Sequence, residues 1–176
     1  MSFKLFSITL WMVFLLSSCT QLLNYFDTSA IDYNDAIVEV YNDGLVEYIE
    51  YDTYYIETSW EFFDNIENRR VSAIENIQQQ KLELEQIWDY QWDSTLINAA
   101  IQNFKDIVNV LSDEYRQLLD IYVEFEQGEL NLEGYEVRMQ EIANDIALID
   151  EAIIARMEEA QSRFASEYNF EILPVE

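Results

Sequence analysis

The sequence predicts an all-α protein, an antiparallel up-and-down bundle of about four long helices spanning approximately 28–63, 64–90, 94–127 and 132–168. Three observations carry this. Half of the 176 residues are hydrophobic and 15% are aromatic, too much apolar material for a disordered chain even at a net charge of −26. With 3 Gly and 1 Pro, the chain lacks the turn residues of a strand-rich architecture. Apolar residues also recur at alternating steps of four and three, the spacing of helices packed lengthwise at a shallow angle.

Thr28 or Ser29 opens the first helix, and Tyr33, Ile37, Val40, Gly44, Tyr48, Tyr51, Tyr55 and Phe62 mark its inner face. Asn42-Asp43-Gly44 is a turn signal, yet the apolar spacing keeps its phase on both sides. The helix is therefore expected to continue, with Gly44 facing inward. There it costs about 1 kcal/mol against Ala and permits close approach of a neighbour. The second helix shows Ile66, Ala73, Ile77, Leu84 and Trp88, joined by Ile74 and interrupted by Arg70, Gln80 and Lys81. A turn near Asp64–Asn68 and a kink both fit its junction with the first.

The third helix is the most regular. Ile97, Ile101, Phe104, Val108, Leu111, Tyr115, Leu118, Tyr122 and Phe125 follow the repeat without a miss, between a cap at Asp93 or Ser94 and a stop at Gly128. The fourth, with Asn131 as its cap, reads Tyr135, Met139, Ile142, Ile146, Ile149 and Ile153, then shifts to Met157, Ala160 and Phe164. That shift is a stutter, one extra step of four. Ala143, Ala147, Leu148 and Ile154 widen its apolar face, which implies more than one neighbour and so a bundle. Residues 169–176, with Pro174, read as a short extended tail.

Ahead of the bundle, residues 1–18 have the layout of a secretory leader: Lys4, then the apolar stretch Leu5–Leu16 broken only by Ser7 and Thr9. The stretch is shorter than the roughly 20 residues of a spanning helix. Leu16-Ser17-Ser18-Cys19 resembles the lipobox of bacterial lipoprotein signal peptides. The resemblance implies cleavage before Cys19 and lipidation of its thiol, a membrane anchor through acyl chains of which two or more hold stably. It also implies that this single cysteine forms no disulfide. Thr20, in place of the Asp of the inner-membrane retention pattern, favours the outer membrane, facing the periplasm. Residues 19–27 then form the lipidated Cys and its tether, Thr20–Asp27 reaching at most about 26 Å, and 28–176 a single helical-bundle domain.

Loss of Lys4 with the leader leaves the mature chain one unit more negative than −26. Such charge repels nucleic acid and anionic head groups. The sequence contains no His, which removes Ser-His and Cys-His nucleophilic sites, the Glu-x-x-His di-iron motif and Cys/His zinc sites. No catalytic residue, cofactor or metal ligand is assigned. Carboxylates are abundant: Glu47, Glu50 and Glu57; Glu83 with Glu85; Glu141, Asp145, Glu158 and Glu159; and Glu129 with Glu133 in the last connection. They read as a solvated acidic face before a Ca²⁺ or Mg²⁺ site. Arg69 and Arg70 are expected to pair with nearby carboxylates. The tract Tyr48, Tyr51, Tyr54, Tyr55, Trp60, Phe62, Phe63, and the group Trp88, Tyr90, Trp92, read as bundle-end packing first and as a binding surface second.

Asp32-Tyr33-Asn34-Asp35-Ala36-Ile37-Val38 and Gln161-Ser162-Arg163-Phe164-Ala165-Ser166-Glu167-Tyr168-Asn169-Phe170 resemble small helical lipoproteins of unknown function from Gram-negative bacteria. The resemblance implies a bundle on a lipid anchor and brings no activity with it. The expected role is a non-enzymatic, lipid-anchored envelope protein acting through an envelope protein partner or as a structural element, and not through nucleic acid. The rival reading is a binding module for divalent cations or a small apolar ligand.

Overall fold

A capping box starts the first helix. In the computed structural model, which describes residues 29–58 and 62–172, Ser29 Oγ accepts from the Asp32 amide at 3.1 Å and the Asp32 carboxylate accepts from the Ser29 amide at 3.2 Å. The Ser29 hydroxyl, donating to the Asp32 carboxylate at 2.7 Å, and then the Ser29 amide hold the Asp32 carboxyl below the usual carboxylate range. Helix α1 runs Ala30–Glu57, unbroken through Gly44, as its spacing predicts. It ends earlier than expected: Thr58 is extended, and residues 59–61 lie outside the described residues. Thr and Ser favour local backbone bonding over helix, a signal that the aromatic spacing around them hides.

Helix α2 covers Phe63–Leu84, so Asp64–Asn68 lies inside a helix and not in a turn. Phe62, expected on the inner face, is 53% exposed. The expected end at Tyr90 is also corrected. After Leu84 the chain tightens into turns, with the Gln86 amide bonding Glu83 O and the Ile87 amide bonding Leu84 O. Tyr90 is then drawn across the bundle end onto Tyr33 and Tyr168, with ring centroids 5.5 and 4.9 Å away. Trp88, expected on the inner face, is instead exposed.

The third rod is two segments, α3 (Thr95–Ser112) and α4 (Glu114–Glu126), with a step at Asp113. The Asp113 and Gln117 amides still bond four residues back, at 2.8 and 2.9 Å, so the axis carries on. Arg70 sits at this step. Buried within α2, it donates through Nη1 to Leu111 O, a carbonyl at the end of α3, while Nε and Nη2 grip Glu67, each bond 2.8 Å long. Arg116 of α4 reaches the same Glu67. An arginine that interrupts the apolar pattern of α2 thus serves a helix end on its neighbour.

Asp93 Oδ1 accepts the Thr95 amide and caps α3, while Ser94 Oγ accepts from Asn98 instead. Gly128, at φ 73°, closes α4 with a Schellman pair: the Gly128 amide to Phe125 O and the Glu129 amide to Glu124 O. Helix α5 spans Leu132–Tyr168, as expected, capped by Asn131 and ended by Asn169 in the left-handed region. Among the described residues, no helix is long and apolar enough to cross a membrane.

The four rods pack in order, α1 on α2, α2 on α3, and α3–α4 on α5. Their core includes Ile37, Tyr51, Ile66, Ile77, Phe104, Ile107, Leu111 and Phe164, all essentially inaccessible to solvent. The first and third rods also meet across the bundle. A Cβ on Gly44 of α1 would lie 2.5 Å from the Phe104 ring of α3, so the missing side chain lets the two rods meet across the diagonal. The fourth side, α1 against α5, is the loosest of the packed pairs.

Gly44→Ala is therefore expected to destabilise the bundle by about 1–3 kcal/mol, through overpacking that outweighs the gain in helix propensity. Trimming the opposing ring with Phe104→Leu is expected to recover part of the loss made by Gly44→Ala, as a non-additive double-mutant cycle. Denaturant unfolding of the four proteins measures both effects; additive losses would show that the two residues do not meet.

Candidate functional site: the open seam between α1 and α5

Two matching stripes face this loose side. On α1, Leu45, Ile49, Asp52 and Ile56 recur at steps of four, three and four; on α5, Ala143, Ala147, Asp150 and Ile154 do the same. Residues three and four apart share a helix face, so each stripe is a strip of apolar side chains holding one carboxylate. Ile49, Ile56 and Ile154 are 54%, 70% and 55% exposed. Ala143 and Ala147 are exposed as well. The widened face of α5, expected to find another neighbour within the bundle, is thus left open. Leu148 lies farther round the helix and is likewise exposed.

The floor of the seam is polar. Tyr48 Oη donates to Asp150 Oδ1 at 2.9 Å, and Tyr115 Oη donates to Asp52 in a shorter bond. Tyr115 also meets the Tyr51 and Tyr55 rings edge-on, at 5.0 and 5.2 Å. Burial pushes the Tyr48 and Tyr115 phenols far above their ordinary range, and the adjacent carboxylates add to it. Both phenols stay protonated and act as donors. Burial also raises the Asp150 carboxyl, with the charge of Asp52 acting in the same direction, against the opposing Tyr48 bond.

Below this level a polar knot ties three rods together. Asn103 of α3, fully buried, donates to Tyr41 Oη of α1 at 3.0 Å and to Ile153 O of α5 at 2.9 Å. Its Oδ1 accepts from Arg156, which also holds Asp106 at 2.7 Å. Each polar atom of the Asn103 amide oxygen and nitrogen has a partner, so the knot stays closed. Along the seam α1 and α5 are tied at the Asn103 level and again by the Tyr48–Asp150 bond.

Sequence reasoning singled out neither these tyrosine–carboxylate pairs nor Asn103. A signal existed, because Asp52 and Asp150 each interrupt an apolar stripe at a helical step, but periodicity alone does not say which tyrosine meets which acid. The carboxylates it did single out are dispersed. Glu47 and Glu50 pair with Arg69, and Glu85 pairs with Lys81. Glu129 and Glu133 are exposed on the α4–α5 connection and the first turn of α5. Among the described residues no three carboxylates gather to hold a metal ion. Arg69 and Arg70 pair with acids as expected. Tyr48 and Tyr51 are buried, Tyr54, Tyr55 and Phe63 half-buried, and Trp60 and Cys19 lie outside the described residues. A recess of about 280 Å³ between α2 and α3 is lined by Gln78, Lys81, Leu82, Lys105, Val108 and Asn109. Its two lysines oppose a bound cation.

Comparison with protein-family models, curated proteins and solved structures finds no match to this chain.

A raised Asp150 pKa means that the folded state holds this proton more tightly than the unfolded chain. Its contribution to stability is therefore favourable at low pH and is lost as pH rises from the ordinary Asp range through the raised value. Asp150→Asn keeps an acceptor for Tyr48 and removes the charge. It is expected to stabilise the protein at pH 7 and to lose that advantage near pH 3, below the ordinary Asp pKa of about 3.9. Urea unfolding of both proteins across this range checks it; destabilisation by Asp150→Asn at pH 7 would mean that the negative charge is favourable where it sits.

Proposed function

We propose that this protein is a non-enzymatic, lipid-anchored component of the bacterial cell envelope that binds a helical segment of another envelope protein in the α1–α5 seam. Cys19 would supply the anchor, placing the bundle at the outer membrane on its periplasmic side. The observation that carries the interaction is the seam itself: exposed Ile49, Ile56 and Ile154 along its edges, with Asp52 and Asp150 at its floor. Burying such edges against an added helix is the ordinary route to helix-in-groove recognition. The paired acids select an occupant with Lys or Arg between its apolar positions, since an uncharged segment would strand both carboxylates when it excludes water. A second copy of this chain is a poor occupant, because two bodies each carrying about −26 repel one another.

The rival reading, a module for divalent cations or a small apolar ligand, has less support. The carboxylates do not gather in threes among the described residues, and the recess between α2 and α3 carries two lysines.

Photo-crosslinkers placed at Ile49 and Ile154 in cells are expected to capture the same protein. Ile49→Lys with Ile154→Lys should change the unfolding free energy by less than about 0.5 kcal/mol per site, since both positions are exposed, and should abolish capture. Asp52→Asn with Asp150→Asn should weaken it, as lost charge pairing requires. Equal capture by wild type and all variants would place the interaction elsewhere. The anchor has its own test: Cys19→Ala is expected to block processing and release the protein from membranes, and an unchanged membrane fraction would refute the lipobox reading.

A further inference from the structure

At the bundle end where α1 begins, the connection between α2 and α3 makes a tight turn, closed by the Asp93 amide bonding Tyr90 O at 2.7 Å. Its two central residues, Gln91 and Trp92, have φ values of 48° and 72°. Such a turn favours Asn or Gly at both places, and a bulky side chain there is sterically strained. The strain is held by packing on either side: Tyr90 lies against Tyr33, Phe164 and Tyr168, and Asp93 caps α3. Yet the residue placed at the strained tip contributes little to the core. Trp92 is 89% exposed, and Trp88, on the same connection, is 66% exposed. Ile31, in the first turn of α1, and Ile172, just past the end of α5, add exposed apolar surface to this end.

We propose that the Trp88–Trp92 loop is a second membrane contact, seating the two indoles among the head groups of a zwitterionic bilayer. The occupant follows from where the chain outside the described residues leaves the bundle. Tyr33, one turn into α1, lies 5.5 Å from Tyr90, so Ser29, where the described chain begins, is at the same end as the loop. Cys19 is ten residues before Ser29 in the sequence, and an extended stretch of that length spans no more than about 36 Å. This inference rests on the reading of Cys19 as a lipid anchor, which keeps that end near a bilayer. Tryptophan is the side chain that favours the head-group layer, where its ring is apolar and its N–H is wet. Asp89 and Asp93 flank the indoles and oppose an anionic surface, so the bilayer that fits is zwitterionic. Contact at two places, acyl chains and indoles, fixes the bundle's orientation as well as its distance from the membrane.

The test uses the full chain with Trp11→Phe and Trp60→Phe, so that only Trp88 and Trp92 emit. The protein is purified from its native membranes and reconstituted into phosphatidylethanolamine–phosphatidylcholine vesicles with lipids brominated near the head group. Most of the indole emission is expected to be quenched and the remainder shifted to the blue, with less quenching when phosphatidylglycerol is added. Trp92→Gly suits the positive φ and is expected to keep or raise the melting temperature while returning Trp88 emission to its value without bromolipid. Mass spectrometry of the N-terminal peptide reports the anchor separately. A lipidated chain whose indoles are not quenched overturns this inference and leaves the anchor standing. An unmodified N-terminus overturns the anchor, and quenching on vesicles then decides the loop by itself.

Discussion

The contact between Gly44 and the Phe104 ring sets the cross-section of the bundle. Four rods arranged as a square touch their neighbours and leave the diagonals apart. Here the absence of one Cβ lets α1 and α3 meet across a diagonal, with Tyr41 stacked on Phe104 at 5.5 Å just below. A square with one short diagonal flattens into a rhombus, whose four sides keep equal lengths, so the looseness of one side is a separate feature of the packing. The sides built on α2 and on the α3–α5 pair remain packed, and the α1–α5 side parts. The seam thus borders α1, the same helix that carries the diagonal contact.

The polar groups follow the same geometry. Where α1, α3 and α5 still meet, Asn103 can reach both neighbours and every one of its bonds is made. One or two turns farther up, the ties are single phenol–carboxylate bonds: Tyr48 to Asp150 between α1 and α5, and Tyr115 to Asp52 between α4 and α1. A buried amide needs several partners at fixed positions, whereas a carboxylate at the edge of an opening can leave its remaining lone pairs to water or to an incoming cation. The change from Asn to Asp therefore tracks the change from a knot of several bonds to single ones.

Much of the fold was legible in the sequence because helices packed lengthwise repeat their burial pattern. Gly44 could be placed inward from phase alone, and α5 could be bounded at both ends because Asn131 and the chain after Tyr168 carry cap chemistry. The errors share one cause. The end of α1, the end of α2 and the step at Asp113 are all places where apolar spacing runs on while the backbone does not. Trp88 keeps the helical step of α2 yet lies outside the helix, since Tyr90 gains more from Tyr33 and Tyr168 than continued helix offers. The candidate site was legible only in halves. Each stripe could be read on its own helix, but their juxtaposition depends on how α1 and α5 are placed around the bundle, which periodicity within one helix does not state.

The placement of positive charge narrows what the seam can accept. With 9 Lys and Arg against 35 Asp and Glu, the arginines are set mainly between rods: Arg69 ties α2 to α1, Arg116 ties α4 to α2, Arg156 ties α5 to α3, and Arg138 ties α5 to α4. Exposed ion pairs of this kind contribute little singly, but removing the cations from such joints would leave acid facing acid. The seam is the joint without one. No arginine bridges α1 and α5 among the described residues; the two helices approach there through Asp52 and Asp150, whose mutual repulsion helps to keep the carboxyl of Asp150 raised. A proposed partner that brings its own Lys or Arg would complete at this joint the arrangement that the chain itself makes at the others. That is a stronger basis for specificity than the apolar edges alone, because apolar edges accept any amphipathic helix, whereas two acids held by tyrosines reject one without a cation in register.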